Sequence, residues 1–167
     1  MSKTQVDYSA ILDYDVEALW NQKWNELKPG AVTEKFSWSS LNIGAVYRVS
    51  LCQKINLDNF AVCKGRCEIR GTVPADTIVS VGKTTNLSER MQAHFTPSKT
   101  NSNRLLTRFK NIFKEADGIS WLSEMISSNV IKIEYIHIKD EEWWKRDLLE
   151  SYGKAVCRCL FDLEIEH

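Results

Sequence analysis

At 167 residues, with 43% hydrophobic and 26% charged content, the chain is long enough to bury a core and is sized for one compact domain spanning 1–167. Lys plus Arg equals Asp plus Glu at 22 each, so net charge alone points to no particular partner. No apolar run approaches the roughly 20 residues that cross a bilayer, which excludes a transmembrane helix, and Met1 to Asp15 shows no charged-then-apolar leader, so a cytoplasmic protein without a membrane partner is expected.

The five cysteines are an odd number, which argues against a disulfide framework. Cys63 and Cys67 have a spacing that can begin a zinc site, but Cys157 and Cys159 are too tight to complete it. The thiols are read as small buried hydrophobes.

In chain order, Val16, Leu19, Trp20, Trp24 and Leu27 recur at helical spacing behind Asp15, the expected N-cap, and Pro29-Gly30 supplies the stop. Residues 1–43 therefore form an N-terminal helical flank. Ala45 to Leu51 and Thr77 to Val81 are short β-rich runs, the second halted by Gly82. Residues 52–76 between them are polar and interrupted, an insertion in which Phe60 to Cys63 and Cys67 to Arg70 can serve as the arms of an extra hairpin.

Asn86 to His94 is helix-compatible, with Asn86 and Glu89 forming a capping-box-like start. Phe95 to Ser102, with Pro97, is a loop. Leu105, Leu106, Phe109, Ile112 and Phe113 then mark an amphipathic helix ended by Gly118. Trp121 to Ile126 reads as a short helix and Val130 to Ile138 as an alternating strand. Glu141 to Leu160 reads as a long helix with an apolar stripe through Trp144, Leu148, Tyr152, Val156 and Cys159. Trp20, Trp24 and Trp144 sit at helical spacing and are assigned to the core rather than to base stacking. Charge is unevenly placed: from Lys83 to Lys114 the chain carries Lys83, Arg90, Lys99, Arg104, Arg108, Lys110 and Lys114 against the single acid Glu89.

The segment Ser80-Val-Gly-Lys-Thr-Thr-Asn-Leu-Ser-Glu-Arg-Met-Gln-Ala-His94 ends a strand at a glycine, follows it with a lysine, and opens a helix that presents Arg90 and His94 one turn apart. With Gly44-Ala-Val-Tyr-Arg-Val49 upstream and Asp147-Leu-Leu-Glu150 downstream, this resembles the GIY-YIG nuclease superfamily, over roughly Gly44 to Leu160. Gly82, Lys83, Thr84, Asn86, Leu87, Arg90 and His94 fall where the motif has them, and Tyr47 takes the place of the first family tyrosine. Ala45 stands where glycine is usual and Ser80 where the second tyrosine belongs.

The resemblance implies an α+β fold, a small, largely antiparallel three-stranded sheet flanked by helices, with 44–160 as its core. It implies a magnesium-dependent (or manganese-dependent) DNA endonuclease, restriction-like in kind and acting as a homodimer on double-stranded DNA. Tyr47, Lys83, Arg90, His94 and Glu150 would be the catalytic residues. Glu150 would hold the metal, with Glu142 as the other choice.

The chemistry suits these residue types. Phosphodiester hydrolysis needs an oriented water, neutralised charge on the phosphate, and help for the leaving oxygen. Glu150 is the hard oxygen ligand that magnesium prefers. Arg90 offers a planar fork for phosphate oxygens. Tyr47 needs a nearby cation to act as a base, which Lys83 can provide unless it contacts the phosphate instead. His94 either relays a proton or positions the nucleophile. Lys99, Arg104, Arg108, Lys110 and Lys114 would track the DNA backbone.

Each residue also has an ordinary reading: Tyr47 as an edge tyrosine of a sheet, Arg90 and His94 as a solvated helix face, Glu150 as an ion pair with Arg146 or Lys154. Two rivals to the nuclease remain: a related fold that binds DNA without cutting it, and a structural domain that keeps only the fold.

Overall fold

A computed structural model describes residues 5–27, 41–62, 67–95, 104–112 and 128–163. In chain order the elements are α1 (Tyr8–Leu12), α2 (Val16–Asn21), β1 (Asn25–Glu26), β2 (Ala45–Leu51), β3 (Ile55–Val62), β4 (Cys67–Val73), β5 (Ile78–Thr84), α3 (Leu87–Phe95), α4 (Arg104–Ile112), β6 (Ile131–His137) and α5 (Trp143–Cys157). Short 3-10 turns at Asp140–Glu142 and Leu160–Asp162 flank α5. The expected ending at Gly118 and the short helix at Trp121 to Ile126 lie outside the described residues. No described helix is long and apolar enough to cross a membrane.

The architecture is α+β, and the main sheet is antiparallel in the order β1-β6-β2-β5. It has four strands rather than three. The fourth is β1, from the N-terminal flank, which pairs Asn25 with Tyr135 and Glu26 with Glu134. Helical spacing from Val16 to Leu27 predicts one helix, yet α2 stops at Asn21. Trp24 and Leu27 bury themselves by joining the sheet edge instead, and the Leu27 N–H donates to the Ile133 carbonyl at 2.8 Å. Tertiary pairing there outweighs local periodicity.

The insertion forms a separate two-stranded sheet of β3 and β4, longer in both arms than expected. Its inner face, Ile55, Leu57, Phe60 and Val62, is buried, while Asn56, Glu68, Arg70 and Thr72 face out. β5 also runs further than the sequence suggests, through Gly82 to Thr84, because Tyr47 pairs with Gly82 and Ala45 with Thr84.

Period-two alternation gives the sheet two covered faces. Ala45, Tyr47, Val49, Leu51, Ile131 and Ile133 join a cluster with Leu87, Met91 and Phe95 of α3, Leu105 and Phe109 of α4, and the β3–β4 hairpin. Val46, Val81 and Ile136 pack on the other face with Trp20, Trp24 and Leu149. On this second face the Arg48 guanidinium lies over the rings of Trp24 at 4.2 Å and Trp20 at 5.4 Å, and its Nε donates to Glu134 at 2.9 Å. A cation held by two rings and a carboxylate fastens the N-terminal segment to the central strand.

Helix α5 is turned from its expected orientation. Arg146, Leu149 and Gly153 form its buried positions, while Val156 is 55% exposed. Gly153 explains the rotation: a Cβ there would collide with the Trp20 ring. Close approach of α2 therefore needs glycine, a contact with no periodic signal.

Candidate functional site

The site forms where the ends of β2 and β5 meet α3 and α5. Asn86 starts α3 by accepting the Glu89 N–H at 3.2 Å, and its own N–H is held by the Thr84 hydroxyl at 3.0 Å. This cap aims the helix so that Leu87, Met91 and Phe95 enter the core while Arg90 and His94 come down over Tyr47.

Tyr47 lies on the central strand, 2% exposed, and is not the edge tyrosine of the ordinary reading. Its hydroxyl is 2.6 Å from His94 Nε2, and Arg90 Nε donates to it at 3.2 Å. A guanidinium has only donors, so the phenol oxygen accepts from Arg90, while the direction of the 2.6 Å bond to Nε2 is set by the tautomer of the imidazole. In the tautomer with the ring proton on Nδ1, Nε2 accepts the phenol proton. The space for the phenol comes from Gly82, since a Cβ at that position would land on the Tyr47 hydroxyl. Burial raises the Tyr47 pKa above its ordinary 10.0, Arg90 opposes the rise by its charge and hydrogen bond, and the carboxylates of Asp162 and Glu150 add to it.

Glu150 sits on α5, only 16% exposed, between two ammonium groups: Lys83 Nζ at 3.4 Å from Oε2 and Lys154 Nζ at 3.1 Å from Oε1. Lys83 is held more closely by Asp147, at 2.7 Å, and this bond leads the causes that raise its pKa. The ion pair with Lys154 is the one expected at i, i+4. Arg146 instead turns away, donating to Asp140 at 2.8 Å against Gly44, where a Cβ would strike its guanidinium. Glu142 pairs with Lys145. It lies eight residues, about 12 Å of helix, from Glu150.

Two residues join the site that sequence reasoning did not single out. Asp147 anchors Lys83, and a signal for it existed: it lies one turn before Glu150 on the same helix. Asp162 had none. It follows the end of α5 in a 3-10 turn that seats against β5, where Oδ2 accepts the Val81 N–H at 2.7 Å and Oδ1 accepts the Ser80 hydroxyl at 3.1 Å. Among the described residues β5 pairs with β2 alone, so Asp162 satisfies an N–H of the sheet edge. Ser80, buried in the position the motif gives to a second tyrosine, is thereby bonded to a carboxylate. Burial raises the Asp162 pKa, against the opposing bonds from Val81 and Ser80 and the charge of Lys154.

Among the expected nucleic-acid contacts, Arg108 is half-buried, with its guanidinium 5.7 Å from the Phe60 ring, so part of its surface serves the packing of α4 on the hairpin. The side chains of Arg104 and Lys110, and all of Lys99 and Lys114, lie outside the described residues, as does Cys63 of the possible zinc pair.

Among the described residues no group of three His, Cys, Asp or Glu side chains is disposed to hold a metal ion. A single carboxylate is still a fit donor for magnesium, which keeps several waters and takes one or two protein carboxylates with the phosphate. Glu150 already attracts two cationic groups, so the position favours positive charge. Compared with protein-family models, with curated proteins and with solved structures, the chain matches none. What the site can do therefore follows from its own chemistry.

Proposed function

We propose that the protein is a GIY-YIG-type endonuclease, a magnesium-dependent enzyme that hydrolyses phosphodiester bonds in double-stranded DNA as a cytoplasmic homodimer. The observation that carries this reading is the Tyr47 hydroxyl, bonded to both Arg90 and His94 across 43 and 47 residues of chain. A phenol held between a fixed cation and an imidazole acceptor is equipped to move a proton.

Tyr47 is too desolvated to ionise by itself near neutral pH. It takes a proton from the attacking water as it passes its own to His94 Nε2, so no free phenolate need build up. Arg90 is exposed, and beyond the Nε that holds Tyr47 its guanidinium fork suits two phosphate oxygens. Lys83, anchored by Asp147, adds positive charge beside the phosphate. Mg2+ (or Mn2+) held by Glu150 would supply charge neutralisation on the phosphate and stabilisation of the leaving oxygen. Lys99, Arg104, Arg108, Lys110 and Lys114 would follow the DNA backbone, giving affinity without sequence information.

Purified protein incubated with supercoiled plasmid and linear phage DNA, in magnesium or in chelator, tests the proposal on a gel. Discrete magnesium-dependent fragments are expected, and Arg90→Ala and Glu150→Gln are each expected to lower cleavage by about 100-fold or more while remaining folded. Full activity in a folded Glu150→Gln variant would move the metal ligand to Glu142. One observation favours a second reading: Ser80 brings a carboxylate-bonded hydroxyl where family enzymes have a tyrosine. Salt-dependent retardation of DNA without cleavage would establish that non-cutting domain in place of the enzyme.

A further inference from the structure

We infer that Lys154 is a built-in competitor for the metal, its ammonium group occupying the cation position at Glu150 in the metal-free protein and leaving when a divalent ion binds. The inference rests on Glu150 being the metal ligand of the proposed nuclease, and it concerns how that site is filled.

The two lysines at Glu150 are not equivalent. Lys83 comes from β5 and has a closer partner in Asp147, 2.7 Å away against 3.4 Å to Glu150. It keeps its place without Glu150. Lys154 lies one turn further along α5, pairs among the described residues with Glu150 alone at 3.1 Å, and is 43% exposed. Its charge also reaches Asp162, holding that carboxyl lower than burial would leave it. One ammonium therefore stands within the influence of both carboxylates near Tyr47, where a bound cation would be most favoured.

The lysine end of this i, i+4 pair is exposed and helix pairs of this spacing are weak, so the lysine is a loose occupant. A divalent ion is attracted twice as strongly by the same carboxylate at equal distance, and it can retain its waters, so it displaces the ammonium. The lysine stem is long enough to swing into solvent. Once displaced, its charge still repels the ion, and apparent metal affinity is set low by both effects.

The test is a titration of Mn2+ into the metal-free protein at low salt, with free Mn2+ followed by its electron paramagnetic resonance signal and folding checked by circular dichroism. Lys154→Met keeps the stem and the helix propensity but removes the charge, and is expected to bind Mn2+ roughly threefold to tenfold more tightly than wild type. Lys154→Arg keeps the charge and is expected to bind as wild type does, while Glu150→Gln loses the site. If Lys154→Met matches wild type or binds more weakly, with Glu150→Gln still deficient, the competitor role is overturned and Glu150 as metal ligand stands. If none of the proteins binds Mn2+, or Glu150→Gln binds as well as the rest, both the competitor role and the metal assignment fall.

Discussion

The two halves of the site are built in opposite ways. Around Tyr47 the phenol and the His94 ring are buried and bonded at 2.6 Å, the exposed Arg90 adds a second bond at 3.2 Å, and the space for the phenol is created by Gly82. Around Glu150 the contacts are ion pairs whose lysines are each 43% exposed. The buried phenol and imidazole have no ready alternative partner in water, so the bond between them is costly to remove. Exposed ion pairs compete with solvent and salt at every moment and contribute little. One half is suited to hold a proton path rigidly, and the other to let a charged ligand enter and leave.

Removing the Tyr47 hydroxyl strains this contrast most. Tyr47→Phe is expected to lower cleavage by on the order of 100- to 10,000-fold, the usual range for a general acid–base group. It also leaves His94 Nε2 and Arg90 Nε without that partner, at about 1–3 kcal/mol of stability by urea unfolding. Lys83→Met, taken as the counterpart on the exposed half, is expected to change stability by less than about 1 kcal/mol. Equal losses of stability in the two variants would mean that the buried and exposed halves are held with the same strength.

Gly82→Ala sharpens the same comparison without touching a polar group. The added methyl meets the Tyr47 hydroxyl, and overpacking of this kind costs about 1–3 kcal/mol. Cleavage should fall along with stability, since the phenol must shift away from His94. A variant as stable and as active as wild type would show that the phenol is not tightly seated.

The smallest effect concerns Asp162, which lies between the halves. Burial lifts its pKa above the ordinary 3.8, so the folded chain holds that proton more tightly than the unfolded chain. Stability is therefore lost as pH rises from 3.8 through the folded pKa. Asp162→Asn has no such proton to release and can still accept from the Val81 N–H. Thermal unfolding at several pH values should show the stability of Asn relative to Asp increasing across that window and level above it. A difference independent of pH would show that burial does not hold a proton on this carboxyl.

Much of the scaffold was legible because it rests on local patterns. The boundaries of β2, the Asn86 cap of α3 and the alternation of β6 are written in residue type and spacing, and so is the placing of Arg90 and His94 one turn apart. The turn of α5 was not legible: its apolar positions allow a stripe through Leu148 and Val156, and only Trp20 lying on Gly153 selects the face through Leu149. Nor was the extended course of Trp24 and Leu27, which helical spacing fits equally well. Asp162 lies beyond the last motif segment, Asp147 to Glu150, and enters the site only because the chain after α5 turns onto the β5 edge.

By itself, then, the sequence determined which side chains of proton-moving and charge-bearing type are available, and the helix and strands that carry most of them, because propensity, capping and periodicity act over a few residues. The tertiary structure decided that Tyr47 meets His94, that Glu150 lies between Lys83 and Lys154, and that Ser80 is bonded to Asp162. Apart from the Lys154 pair, those contacts join residues tens of positions apart. They depend on how strands pair and helices pack over the two faces of the sheet, which no local pattern encodes.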